Sequence, residues 1–165
     1  MPAFKQSAIS PALSPRDIAI VRELFQEYAA WLGFSLAYQK FDEELTKLPG
    51  SYAAPRGRLL LARIDDALAG CAALRPLDRT ICEMKRLYVR PAFRGSGMGH
   101  RLIERLIDDA RTIGYSRMRL DTIADKMFTA IDLYRKLGFE EINAYYPGAR
   151  PGTLYFELRL DSRSR

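Results

Sequence analysis

Three glycines at alternate positions, Gly95, Gly97 and Gly99, follow Arg94 and lead into an amphipathic stretch. Glycine lets backbone N–H groups approach a ligand closely and permits positive φ. The free N–H groups at a helix start add partial positive charge. Together they make a cradle of pyrophosphate size, with Arg94 at its mouth. The run lacks the Lys-Ser/Thr pair of a Walker loop and the spacing of a Rossmann fingerprint. By itself, the spacing equally fits a tight turn. Other chemistry-bearing residues are isolated. Cys71 and Cys82 are too few for a disulfide framework and too far apart for a CxxC metal site. They read as buried reduced thiols, with a covalent acyl-cysteine as the lesser alternative. His100, the one histidine, reads as a helix-surface residue beside the cradle. No metal is expected.

The elements that must position the cradle follow from periodicity and caps. Residues 4–9 fit a short strand. Ser14-Pro15 read as N-cap and first residue of a helix that Gly33 stops, with Ile18, Val21, Leu24, Phe25 and Tyr28 at helical spacing. A second helix fits 38–48, ended by Pro49-Gly50. Leu59–Ile64 is an apolar strand, turned by Asp65-Asp66 into Leu68–Leu74. A strand over about 80–90 runs into the Pro91–Gly97 turn. Gly99–Ile113 is a helix closed by Gly114. A strand over 117–123, a helix over 126–137 closed by Gly138, and strands over 139–143 and 153–160 complete the chain. The order βααβββαβαββ predicts an α/β sheet of mixed direction covered by helices.

A length of 165 residues, 48% hydrophobic and 28% charged, predicts one domain spanning 1–165 with a sizeable core. No apolar stretch approaches membrane-spanning length, and no signal peptide is recognisable, so a cytoplasmic setting and no membrane partner are expected. The net charge is +6, and residues 84–119 carry nine basic against three acidic side chains. That excess reads either as solvated faces or as a site for an anion: nucleic acid, or a phosphorylated small molecule.

Two runs decide between these partners. Arg94-Gly95-Ser96-Gly97-Met98-Gly99, preceded by Leu87-Tyr88-Val89-Arg90-Pro91, resembles the acyl-CoA pyrophosphate motif of the GNAT superfamily of N-acetyltransferases. Ala130-Ile131-Asp132-Leu133-Tyr134-Arg135-Lys136-Leu137-Gly138-Phe139 resembles the family helix that ends in Leu-Tyr-x-Lys-x-Gly-Phe. The resemblance covers 59–143 well and 14–58 by element order. It implies the GNAT acyl-CoA N-acyltransferase fold, a mixed, mostly antiparallel sheet of six to seven strands flanked by about four helices. It also implies an N-acetyltransferase with acetyl-CoA as co-substrate, a small amine acceptor and no nucleic-acid partner. Relatives of this family often form homodimers. The segments Leu48 to Tyr52 and Tyr145-Tyr146 resemble a bacterial subgroup of acetyltransferases acting on small molecules or amino acids. The alternative function is a non-catalytic acyl-CoA-binding regulator.

By resemblance, the strand at 82–90 splays from its neighbour, often through a bulge. Its backbone then serves the cofactor: Leu87 the thioester carbonyl, Val89 the pantetheine arm, with Tyr88 between them. Arg94, Gly95, Ser96, Gly97, Met98 and Gly99 hold the diphosphate, and Ala130, Tyr134 and Lys136 complete the cofactor site. Tyr134 is the expected general acid toward the leaving thiolate. Glu83 is the candidate base; flanked by Lys85 and Arg86, it reads equally as an ion pair. Many relatives carry Asn where this chain has Met127, with Asp125 as a weak substitute. The acceptor side draws on Phe34, Tyr38, Tyr52, Tyr145 and Tyr146, whose aromatic faces suit an amine. Arg56, Arg58 and Arg150 are candidates for holding an acceptor carboxylate.

Overall fold

The computed structural model describes residues 6–124 and 127–161. Seven strands form a single sheet: β1 Ser7–Pro11, β2 Arg58–Ile64, β3 Ala67–Pro76, β4 Ile81–Val89, β5 Arg117–Ile123, β6 Glu140–Ile142 and β7 Thr153–Arg159. Their spatial order is β1-β2-β3-β4-β5-β7-β6. All neighbours are antiparallel except β4 and β5. Among the described residues four α-helices complete the fold: α1 Pro15–Leu32, α2 Phe41–Lys47, α3 Met98–Ile113 and α4 Phe128–Lys136. The mixed, mostly antiparallel sheet with four helices is the architecture expected from the sequence.

Local chemistry sets the element ends. Ser14 Oγ accepts the Asp17 amide at 3.0 Å, and Gly33 closes α1 with φ 80°. Asp65 and Asp66 take φ 49° and 69°, which turns β2 directly into β3. The helix expected over 38–48 is divided. A 3-10 turn at Ala37–Gln39 precedes α2, because Lys40 adopts φ 56° and interrupts the helical path.

Strand alternation sorts the core into two layers. Leu60, Ala62 and Ile64 of β2 face α3 and pack with Leu102, Ile103, Leu106 and Tyr134. Leu59 and Leu61 face the opposite side, with Val21, Leu24 and Phe25 of α1. Helices α3 and α4 therefore cover one face of the sheet, and α1 and α2 the other. The site forms where the central strands part.

Candidate active site

Strands β4 and β5 pair only at Ile81/Arg117, Cys82/Met118 and Glu83/Arg119. Beyond that they are no longer paired, and in the same stretch β4 carries a bulge against β3. Cys71 opposes Tyr88 while Ala73 opposes Lys85, so two steps on β3 face three on β4. The extra residue is Arg86, with φ 59°. A left-handed arginine costs about 1 kcal/mol or more and persists only when its surroundings hold it. Here Glu44 accepts from Arg86 Nε at 2.9 Å and from Nη2 at 2.8 Å. Gln39 Oε1 accepts from Nη1 at 2.8 Å, and the guanidinium sits 5.1 Å over the Phe41 ring.

The bulge changes which side chains face where. Cys82, Met84, Leu87 and Val89 lie with the α3 layer, and Tyr88 with the α1 layer. Lys85 and Arg86, though consecutive, both reach Gln39 on the α1–α2 side.

Two adjacent pockets, with Leu87 and Met127 in the lining of both, occupy the gap. The larger, about 560 Å³, is lined by Leu87, Tyr88, Val89, every residue from Arg94 to Gly99, and Ala130. Gly95 and Gly97 have φ 83° and 86° with open space where a side chain would project. Ser96 Oγ accepts the Met98 amide at 3.3 Å, while the Met98 side chain is buried in the α3 core. Arg94 donates from Nε to the Val89 carbonyl at 3.0 Å and lies 4.9 Å over the Trp31 ring. His100 lines the same cleft, is half exposed, and reaches Glu104 at 3.5 Å. Lys136 is not part of this wall. It lies on the solvent face of α4, 3.1 Å from Asp132.

The smaller pocket, about 40 Å³, shares Leu87 and Met127 with the cleft and lies deeper. Tyr134 lines it and is buried, packed 5.6 Å from the Phe139 ring and 6.2 Å from that of Phe156. Burial first, and then the neighbouring Tyr28 and Asp121, push its phenol well above the ordinary tyrosine range, so it stays protonated. Phe34 lines the same pocket, with the Arg150 guanidinium 4.1 Å over its ring.

Glu83 lies elsewhere. It is 1% exposed and absent from the lining of both pockets. Arg75 donates to its Oε1 at 2.8 Å, and Tyr145 to its Oε2 at 2.5 Å. Glu83 is an ion pair, but its partner is Arg75 across the β3–β4 ladder, and not Lys85 or Arg86. Tyr145 and Tyr146 pack edge-on against Tyr155 and line neither pocket, and the Tyr146 hydroxyl donates to Asp121 in the wall of the smaller one. Tyr52 is 2% exposed, packs edge-on against Phe25 in the α1 core, and lines neither pocket. The Tyr38 side chain and Asp125 lie outside the described residues.

Several expected ligand holders are engaged at a distance. Arg56 stacks on Tyr115 and donates to the Asp78 and Arg79 carbonyls. Arg58 donates to the Pro55 and Gly57 carbonyls. Cys71 and Cys82 are buried free thiols that line neither pocket; burial raises both, Cys82 to about 12. Much of the basic excess of 84–119 is paired within the fold: Arg90 with Glu27, Arg105 with Asp109, Arg117 and Arg119 with Glu157. Lys85, Gln39, Asp121 and Thr122 line the deep pocket and escaped the sequence reading. The available signal was the pair of cations inside an otherwise buried strand.

Residues 19–139 match the acetyltransferase (GNAT) family. An uncharacterised N-acetyltransferase of Schizosaccharomyces pombe is 37% identical over 155 residues, 93% of this chain and 94% of its own. The IAA acetyltransferase of Azospirillum brasilense is 36% identical over 149 residues, 89% of this chain and 94% of its own. An acetyltransferase structure from Salmonella typhimurium, solved with acetyl-CoA, has a TM-score of 0.68 at 22% identity and covers 98% of each chain. Eukaryotic relatives stand beside bacterial ones, so the bacterial subgroup expected from the sequence is not supported.

Proposed function

The chain belongs to the acetyltransferase (GNAT) family and is an N-acetyltransferase, and on that premise we propose that it moves an acetyl group from acetyl-CoA to the primary amine of a small molecule, amino acid or peptide. The transfer is direct, within a ternary complex. The observation that carries this reading is the junction of the two pockets at Leu87 and Met127. One pocket leads back to the glycine cradle, and the other holds Tyr134. The cradle fits a diphosphate: positive-φ glycines leave open space at the start of α3.

Acetyl-CoA, when bound, supplies a thioester whose carbonyl carbon bonds to the amine nitrogen while the C–S bond breaks and CoA leaves as a thiol. The chain's residues position and polarise these atoms. The amides of Gly95, Gly97 and Gly99, with Arg94, hold the diphosphate, while those of Ser96 and Met98 donate within the turn. The Leu87 N–H, at the bulge, is assigned to the thioester oxygen, and the Val89 backbone to the pantetheine arm in the manner of an added strand. The Tyr88 backbone and Ala130 are assigned to the cleft wall. The Tyr134 phenol, held protonated by burial, is assigned proton donation to the sulfur. Met127 brings no side-chain amide to the arm. Lys136 takes no part from its solvent-facing position.

Both oxygens of Glu83 are occupied, so the proposal gives it a positioning role, holding Arg75 and Tyr145. The amine proton passes to solvent water. An alkylammonium has an ordinary pKa of about 10, so the neutral fraction, and with it the rate, rises with pH toward that value.

Free-thiol release from acetyl-CoA across an amine panel tests the reading. Initial rates with both substrates varied should give intersecting lines. Parallel lines would point to an acyl-enzyme and refute direct attack. Tight CoA binding without thiol release on any amine would return the chain to the class of acyl-CoA-binding regulators.

A further inference from the structure

Among the described residues, two guanidinium groups near the deep pocket sit in ion pairs, whereas Lys85 and Asp121 in its wall do not. Arg86 is met by Glu44, and Arg75 by Glu83. Asp121 accepts from Tyr146. Lys85 lines the pocket and is 7% exposed. Its Nζ donates to Gln39 Oε1 at 3.1 Å, an oxygen already shared with Arg86. Among the described residues, no carboxylate oxygen lies within 4.0 Å of that ammonium. A buried charge held by one shared amide oxygen is poorly compensated. Burial, and then the charge of Arg86, lower Lys85 to about 8, against the opposing pull of Glu83 and Asp121. It therefore remains mostly protonated at neutral pH. A second polar group lies in the same wall. Thr122 is 4% exposed, and among the described residues its Oγ has no hydrogen-bond partner.

We propose that the acceptor carries a carboxylate as well as its amine, and that Lys85 binds this carboxylate and so selects the substrate. The inference rests on the acetyl-transfer reading above. A carboxylate suits the site in size and charge. The pocket of about 40 Å³ admits a head group of only a few heavy atoms. The Lys85 ammonium can meet one carboxylate at close range, and the Asp121 charge in the same wall disfavours a doubly charged phosphate. The Thr122 hydroxyl gives the bound acceptor a second polar contact. Arg56 and Arg58 are spent elsewhere in the fold, and Arg150 stacks on Phe34 without lining the pocket, whereas Lys85 lines it.

The test compares the protein L-amino acids with their carboxamides, which keep the amine and lose the charge. A charge-assisted contact should favour the acids by roughly 10- to 100-fold in kcat/KM. In Lys85→Met, which keeps an unbranched stem without the ammonium, that ratio should collapse toward unity. Equal rates for acids and carboxamides in the wild type, or a preference that survives in the variant, would overturn the proposal. The wild-type comparison decides the matter if Lys85→Met fails to fold. A binding arm needs no turnover: acetate is titrated into the CoA-bound protein while isotope-labelled lysine side chains are followed by NMR. The Lys85 signal should shift with acetate and not with methylammonium; no shift overturns the proposal. Thiol release from uncharged amines alone would overturn it and leave the acetyltransferase reading standing. Absence of thiol release with any amine would strike that reading instead, and the acetate titration would then decide the fate of the Lys85 assignment.

Discussion

Replacing Glu44 with glutamine should loosen the bulge on β4, and the cost can be worked from the contacts. Glu44 accepts two charge-assisted hydrogen bonds from Arg86, at 2.9 and 2.8 Å, with side-chain exposures of 13% and 2%. Removing one member of a buried pair costs about 3–5 kcal/mol, because the remaining charge is left in a poor environment. Arg86 keeps Gln39 at 2.8 Å, so the lower end, about 3 kcal/mol, applies. For a chain of this length that is a fall in Tm of roughly 6–12 °C. The sign with pH is fixed as well. Burial raises the Glu44 carboxyl, but the hydrogen bonds and charge of Arg86, helped by Lys85, outweigh it and hold the group below its ordinary 4.5. A lowered folded value stabilises above the unfolded one, and that stability disappears as pH falls through the folded value. The gap between wild type and Glu44→Gln should therefore be full at neutral pH and narrow below about 4.5. Denaturant melts across this range supply the measurement. If Leu87 is aimed by the bulge, kcat should fall more than CoA affinity, since small misplacements cost up to about 100-fold. A loss under about 1 kcal/mol, as for an exposed pair, would refute the reasoning. So would additivity within about 0.5 kcal/mol when Glu44→Leu is combined with Arg86→Met.

Three further substitutions test the rest of the site. Tyr134→Phe keeps the buried ring and removes the proton donor, so kcat should drop by about 100-fold or more with CoA affinity nearly unchanged; equal turnover would remove Tyr134 from the acid role. Gly97→Glu forces a side chain onto φ 86° and sets a carboxylate in the cradle, so CoA binding measured by calorimetry should vanish. Retained affinity would place the diphosphate elsewhere. At Gly70, opposite Val89 on β3, a Cβ would stand 2.2 Å from the Tyr88 carbonyl oxygen, a backbone atom with no freedom to turn aside. Gly70→Ala should then cost about 1–3 kcal/mol or more by denaturant midpoint and weaken CoA binding through the displaced strand; an unchanged midpoint would contradict the close β3–β4 contact.

Much of the fold and of the cofactor side was legible in the residues themselves, because the physics that decides them is local. A serine followed by proline starts a helix, and positive-φ glycines end one. Alternate glycines after a strand open a helix start to an anion. Gly95, Gly97 and the Leu87–Val89 strand line the larger cleft, and Tyr134 lines the smaller pocket beside it. The acceptor side was less legible. Tyr52 shares the aromatic character of Phe34, yet one is core and the other pocket wall, a difference set by what packs over each. Period-two alternation read along β4 puts Lys85 and Arg86 on opposite faces. They share one only because β4 spends an extra residue against β3, and that residue is held by Glu44, 42 positions earlier in the chain. The partner of Glu83 was settled across the ladder, by Arg75, although two cations stood closer in sequence. Neighbours along the chain thus determined where helices, strands and the glycine-rich turn lie. Which charges are paired, which one is left facing the pocket, and how far β4 parts from β5 depended on contacts between segments distant in the chain, and those exist only once the sheet and its helices have closed around them.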